Sequence, residues 1–239
     1  MKRIAFYGGS FDPVHNGHLA IARKLTELFA FDEFVFVPAF HAPHKLSKKP
    51  TSGFHRYAML ALTTEADAKI KVSTVELDAP EKPFTFETQA KLKTELPDTQ
   101  IFFVIGADSW NEINLWKNWR EVLTLTNIVV VTRPAYELNF SHLPAEIKAR
   151  IVDLRVQIPE SRVHHENRGV RELNSEEKKL RLSIVDSGLW TKIYLTDAVQ
   201  MGVSATKIRQ MIRQGNIDWR EFVPPEAAGY IEKYNLYLK

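Results

Sequence analysis

Two spacings of apolar residues alternate along the chain. Contiguous runs at Ile4 to Tyr7, Glu33 to Pro38, Ile101 to Ile105, Asn127 to Thr132 and Lys192 to Thr196 read as buried strands. Ile70 to Leu77 alternates as a further strand. Between the strands, helical spacing appears over 17–30, from Phe54 to Glu65, and from the Pro83 to Thr88 segment to a stop at Pro97. It returns after Ser204, where Ile208, Met211 and Ile212 form the buried face. A strand, a helix and a second strand in that order make a βαβ unit with a parallel pair. Repeated along the chain, such units predict an α/β architecture built on a doubly wound parallel sheet. A small helical C-terminal part follows at 203–239, within a single domain over 1–239. Residues 136–190 do not carry the pattern and read as an insertion without an assigned role.

Composition narrows the function classes. At 239 residues the chain can bury one good-sized core. Hydrophobic residues at 44% and charged residues at 26% are ordinary for a soluble globular protein. The net charge of +3 comes without a clustered basic face, which argues against a nucleic-acid partner and is compatible with small anionic substrates. The absence of cysteine excludes a disulfide framework, a thiol nucleophile and cysteine-bound zinc. No apolar run reaches the length of a membrane span or a signal peptide, so the expectation is a cytoplasmic protein with no membrane partner. The sequence leaves oligomeric state open, a homo-oligomer included.

The chemistry concentrates after the first strand, in Gly8-Gly9-Ser10-Phe11-Asp12-Pro13-Val14-His15-Asn16-Gly17-His18-Leu19. A strand, a glycine turn and a helix start are the place where phosphates bind in α/β folds. The helix start offers unpaired N–H groups and about half a positive charge. His15 and His18 are three apart and share a face if the first turn includes both. The segment has no Gly-Lys-Ser/Thr element and no three spaced glycines, so it is neither a Walker loop nor a dinucleotide fingerprint. The pattern is a phosphate site with imidazoles where other folds use lysine.

This stretch resembles the first signature of the nucleotidyltransferase superfamily that carries a His-x-Gly-His element. Its Phe-Asp-Pro form resembles the branch that adenylates nicotinate mononucleotide. A second signature, Ser204-Ala205-Thr206-Lys207-Ile208-Arg209, resembles that family's Ser-x-Thr-x-x-Arg motif. On residues alone, this second stretch is a capped amphipathic helix with Ser204 as the cap. The resemblance implies a Rossmann-like sheet and a triphosphate clamped between the two signatures. It makes His15, His18 and Arg209 catalytic. For ATP it implies Gly8, Gly9, Ser10, Phe11, Ser204 and Thr206. To these it adds Lys45, in the His-Lys loop after the second strand, and Gly106 and Asp108 after the Ile101 run. Read plainly, Lys45 belongs to an exposed basic loop, and Asp108 caps the next helix.

For nicotinate mononucleotide the resemblance implies Thr85, Trp116 and Arg133. Thr85 also reads as an N-cap, and Trp116, with Trp110 and Trp119, also reads as core. Trp110 is left to the core. The family's Tyr-Thr pair is Phe84-Thr85 here, which removes a tyrosine hydroxyl, and its Arg-Pro-Gly is Arg133-Pro134-Ala135. The implied reaction is attack by a mononucleotide phosphate oxygen on the α-phosphorus of ATP, with Mg²⁺ carried by ATP and no metal held by the protein. Such a transfer needs positioning and charge stabilisation, not a protein nucleophile. Competing expectations are another phosphate acceptor, a nucleotide-binding regulator without turnover, and a fragment related to aminoacyl-tRNA synthetases. His164-His165-Glu166 invites a metal reading but lacks the spacing of a known site.

Overall fold

The computed structural model describes residues 1–40, 51–132, 137–155, 191–199 and 202–238. Among these residues seven strands form one parallel sheet: β1 Lys2–Gly9, β2 Glu33–Pro38, β3 Ile70–Val72, β4 Thr99–Gly106, β5 Asn127–Val131, β6 Ile151–Asp153 and β7 Ile193–Thr196. Their order is β3-β2-β1-β4-β5-β7-β6. The helices are α1 Asn16–Leu28, α2 Gly53–Thr64, α3 Thr85–Glu95, α4 Ala107–Asn111, α5 Trp119–Leu125, α6 Ala145–Lys148, α7 Ala205–Arg213 and α8 Pro225–Lys233. No helix among the described residues is long and apolar enough to cross a membrane.

Contiguous apolar runs make sense because both faces of the sheet are covered. Ala5 and Tyr7 of β1, Phe34 and Phe36 of β2, and Phe102 and Val104 of β4 face a core closed by α1, α2, α7 and α8. The alternate residues, Ile4 and Phe6, Val35 and Val37, Phe103 and Ile105, face a second core with Leu92, Trp110, Val122 and Leu123. The two-residue period of a strand sends every second side chain to the opposite layer.

The order places β2 on one side of β1 and β4 on the other. Chain connections leave these two strands in opposite directions, which opens a crevice beyond their carboxyl ends. Gly8 and Gly9 end β1, and Gly106 ends β4.

One sequence expectation is corrected here. The strand expected over Ile70 to Leu77 stops at Val72. The Ser73 N–H still bonds the Phe36 carbonyl at 2.8 Å, but Ser73 Oγ then accepts from Val75 N at 3.2 Å and Asp78 N donates to Thr74 O at 2.8 Å. Side-chain and turn bonds of this kind compete with a ladder. Of the stretch that carried no pattern, residues 137–155 are described: Leu143 and Ile147 are buried, and β6 adds an edge strand with Ile151 opposite Ile193. Residues 156–190, with His164, His165 and Glu166, lie outside the described residues.

Candidate active site

The loop after β1 is held by its own aromatic ring. Phe11 adopts φ +49, a left-handed conformation that costs about 1–2 kcal/mol for an L-residue. Its ring is 2% exposed and meets Tyr7, Phe36 and His18 edge-on, with centroids 5.0 Å apart for the His18 pair. Burying a phenylalanine side chain is worth about 1.5–3 kcal/mol, enough to offset the backbone cost. Gly9 is required here, because a Cβ on it would lie 2.8 Å from the Phe11 ring. The Phe11 side chain therefore supports the loop, and only its backbone can reach a ligand.

His15 is the N-cap of α1 and His18 its third residue. The His15 N–H donates to His18 Nδ1 at 3.2 Å, and the two rings stack at 3.6 Å. With Nδ1 accepting, the neutral His18 ring carries its proton on Nε2, the tautomer that can donate to an oxyanion. Both rings are nearly buried, at 3% and 9% exposure. With Val131, Thr132, Val199 and Val203 they line a small cavity beside the end of β5.

The second signature lies against the first. A Cβ on Gly17 would meet Val203 Cγ1 at 2.9 Å, so the missing side chain lets the two segments touch. Ser204 caps α7, its Oγ accepting from Lys207 N at 3.3 Å. Arg209 Nη1 donates to the carbonyl of Asp12, and Nη2 donates to Thr206 Oγ1 at 3.3 Å. Residues almost two hundred positions apart thus form one end of the crevice.

Other positions fall as follows. Gly106, not Asp108, occupies the N-cap of α4, and no side chain caps that start. The Asp108 carboxylate instead lies over Gly106 and is exposed at the carboxyl end of β4. Thr85 is likewise not a cap. It is the first residue of α3, and Glu87 reaches back to accept the Phe84 N–H at 2.8 Å. Trp110 is fully buried, its indole N–H donating to Asn139 O at 3.0 Å. Trp116 is half-buried and packs against the second core, as Phe86 and Trp119 do. Lys45 and Arg133 lie outside the described residues.

Four groups in this region were not singled out from sequence. Lys117 Nζ sits 4.2 Å from the centre of the Phe84 ring, a cation over the aromatic that replaces tyrosine. Arg56, 1% exposed, donates to the carbonyls of Ser10 at 2.7 Å, Ala39 at 2.6 Å and Thr51 at 2.9 Å. A signal for it existed: Arg56 stands at helical spacing with Met59, Leu60 and Thr63, all buried. The Asp12 carboxylate accepts from Tyr237 OH at 2.7 Å and Thr51 N at 3.3 Å. Glu76, half-buried, accepts from Thr88 Oγ1 at 3.2 Å and from the Phe40 N–H.

Burial pushes the Glu76 carboxyl up to about 7, against the pull of Thr88, the Phe40 amide, Arg56 and Lys82. The folded chain thus holds a proton that the unfolded chain releases near 4.5. The linked stability is full below that pH and is lost as pH rises to about 7. The ceiling on this loss is about 3 kcal/mol. Thermal unfolding of Glu76→Gln between pH 5 and 8 should show a flatter pH dependence than the parent and a higher midpoint at pH 8. Parallel curves would remove Glu76 as the source.

A family model described as cytidylyltransferase-like matches residues 6–211. A relative from Thermoanaerobacter sp. (strain X514), named "Probable nicotinate-nucleotide adenylyltransferase", is 31% identical over 238 residues, covering 99% of this chain and 95% of its own. One of the same name from Arthrobacter sp. (strain FB24) is 31% identical over 231 residues, covering 96% and 89%. The Plasmodium falciparum nicotinic acid mononucleotide adenylyltransferase complexed with NaAD superposes with a TM-score of 0.69 at 19% identity, over 99% of this chain and 98% of that one, a likeness of fold. With the family model spanning most of its length and both signatures meeting at the sheet's switch point, the chain belongs to the cytidylyltransferase-like family and groups there with the nicotinate-nucleotide adenylyltransferases.

Proposed function

We propose that the chain transfers AMP from ATP to nicotinate mononucleotide, giving nicotinate adenine dinucleotide and pyrophosphate, as a cytoplasmic step of NAD biosynthesis. The observation that carries this reading is the bond from Arg209 to the Asp12 carbonyl, with Val203 against Gly17, which makes one site of two signatures. Similarity over the full chain to relatives named for this activity supplies the acceptor.

In this reading an oxygen of the acceptor's phosphate attacks the α-phosphorus. A P–O bond forms there as the bond to the bridging oxygen breaks, and pyrophosphate leaves with that oxygen. Charge builds on oxygens, so N–H donors already in place lower the barrier. His18, through Nε2, and His15 face that charge from the start of α1. The N–H groups at the start of α7, Ser204, Thr206 and Arg209 face it from the other side. Gly8, Gly9 and Ser10 line the approach, Gly106 and Asp108 take the adenosine side, and Thr85 and Trp116 take the pyridine ring. Mg²⁺ arrives on the triphosphate as part of the substrate. Carried in this way, the ion would take most of its shell from phosphate oxygens of ATP and water.

The test is pyrophosphate release with ATP and Mg²⁺, comparing nicotinate and nicotinamide mononucleotides. The expected result is release with both histidines intact and a preference for nicotinate of at least tenfold in kcat/KM. Equal or reversed preference would keep the reaction and change the acceptor. Silence with both, in folded protein that binds ATP, would overturn the reading.

A further inference from the structure

We infer that Tyr237, near the C-terminal end of the chain, is a positioning residue for adenylyl transfer: its hydroxyl, bonded to the Asp12 carboxylate, fixes the loop that leads into His15 and His18. This rests on the proposed function. The tail does not fray after α8. Asn235 turns at φ +50, Leu236 N returns to the Ile231 carbonyl at 3.0 Å, and Leu236 packs against the first core. Tyr237 then enters the interior, 9% exposed, although Leu238 beside it is 57% exposed.

The bond it makes there is specific. Tyr237 OH donates to Asp12 Oδ1 at 2.7 Å, and the Thr51 side chain also bonds the tyrosine oxygen. Burial first, then the charge and hydrogen bond of Asp12, push the phenol well above its ordinary value, so it stays a donor at any working pH. Asp12 is itself only 7% exposed and stands three residues before His15. Its carbonyl is taken by Arg209 from α7, and its carboxylate by Tyr237 and the Thr51 amide. Two C-terminal elements therefore grip one residue, one through backbone and one through side chain.

Backbone conformation on both sides of the bond points the same way. Phe11, next to Asp12, sits at φ +49, and Tyr237 at φ +68. An aromatic L-residue holds a left-handed conformation only where its surroundings over-determine it. The Phe11 ring and the Tyr237 hydroxyl are the groups that do so here. Phe11 also meets the His18 ring edge-on, so slack in this loop reaches the imidazole directly. Mispositioning of about 1 Å can cost a hundredfold in rate. Loss of one hydroxyl, with the ring still packed, should cost about tenfold.

The experiment uses Tyr237→Phe, Asp12→Asn and the double variant of the full chain. Turnover is measured with ATP, Mg²⁺ and nicotinate mononucleotide, per ATP-binding site counted by calorimetry. Tyr237→Phe should lower kcat about tenfold with both KM values within twofold of the parent. The double variant should be no slower than the slower single, because both remove the same bond. A role confined to anchoring the tail predicts unchanged kcat per binding site in Tyr237→Phe, and that result overturns the inference. Additive losses in the double variant also overturn it. A parent chain silent with both mononucleotides removes the functional reading, and the inference with it, whereas an active parent with an equally active Tyr237→Phe removes the inference alone.

Discussion

His18→Asn should lower turnover by roughly a hundredfold or more while leaving the chain folded. The asparagine side chain can keep what His18 Nδ1 does for the helix, because its carbonyl oxygen can accept the His15 N–H that Nδ1 accepts at 3.2 Å. It cannot keep the second ring nitrogen, and with it goes the donor that the proposed reaction aims at charge developing only in the transition state. Removing one such donor in other enzymes costs a hundred- to a thousandfold in kcat. The structural cost is smaller. The ring stacks on His15 at 3.6 Å and touches Phe11, so its loss should lower stability by about 1 kcal/mol. His18→Ala should lose the cap acceptor as well and about 1 kcal/mol more. Turnover at saturating substrates, with urea unfolding on the same preparations, separates the two effects. If His18→Asn turned over within fivefold of the parent, the imidazole would have no part in the chemistry.

What the sequence made legible was mostly local. Five strands could be read because both faces of the sheet are buried, which leaves unbroken apolar runs such as Ile101 to Ile105. The turn from β1 into α1 could be read because glycines, histidines and a helix start stand within a dozen residues. Ser204 as a cap followed from its place before an amphipathic helix, and it caps. Side-chain detail was less legible. Asp108 and Thr85 looked like caps because both are good N-cap types near a helix start. Gly106 and Phe84 take those positions instead, and Glu87 supplies the acceptor for α3. Strand β6 was missed because Ile151 to Asp153 is too short for a period to show.

Least legible were bonds between distant segments. Nothing in the neighbourhood of Asp12 announces Tyr237, 225 residues away, and nothing near Lys117 announces the Phe84 ring. Such contacts depend on how the sheet brings loops to one edge, which a pattern along the chain does not encode. Arg56 is intermediate: its place on an apolar stripe marks it as buried, but its acceptors lie on two separate connections, Ser10 after β1 and Ala39 and Thr51 between β2 and α2.

Arg56→Met should therefore destabilise the chain by about 3–5 kcal/mol, the scale seen when one partner of a buried polar cluster is removed. The guanidinium is a cation with 1% exposure, and burial lowers its proton affinity against the opposing pull of the Asp12 and Glu76 carboxylates. Burial alone would make it a liability. It is retained at no loss only because its fork fits carbonyls converging from Ser10, Ala39 and Thr51. Methionine fills much of the volume and removes the charge, which recovers part of the desolvation cost. It also strands three backbone acceptors, each costing about 1–3 kcal/mol if no water reaches it. The stranded acceptors outweigh the recovered desolvation, so the balance is a loss. Arg56→Lys should rescue little of it, since one ammonium cannot reach three carbonyls spread over two loops. For a chain of this length the expected drop in Tm is about 6–20 °C. Ser10 follows Gly9 and Ala39 follows β2, so the same change loosens two walls of the crevice, and kcat should fall in protein that is still folded at low temperature. Urea unfolding of the two variants checks the first claim and turnover at 10 °C the second. A Met variant within 1 kcal/mol of the parent would mean that solvent, not the guanidinium, satisfies those carbonyls.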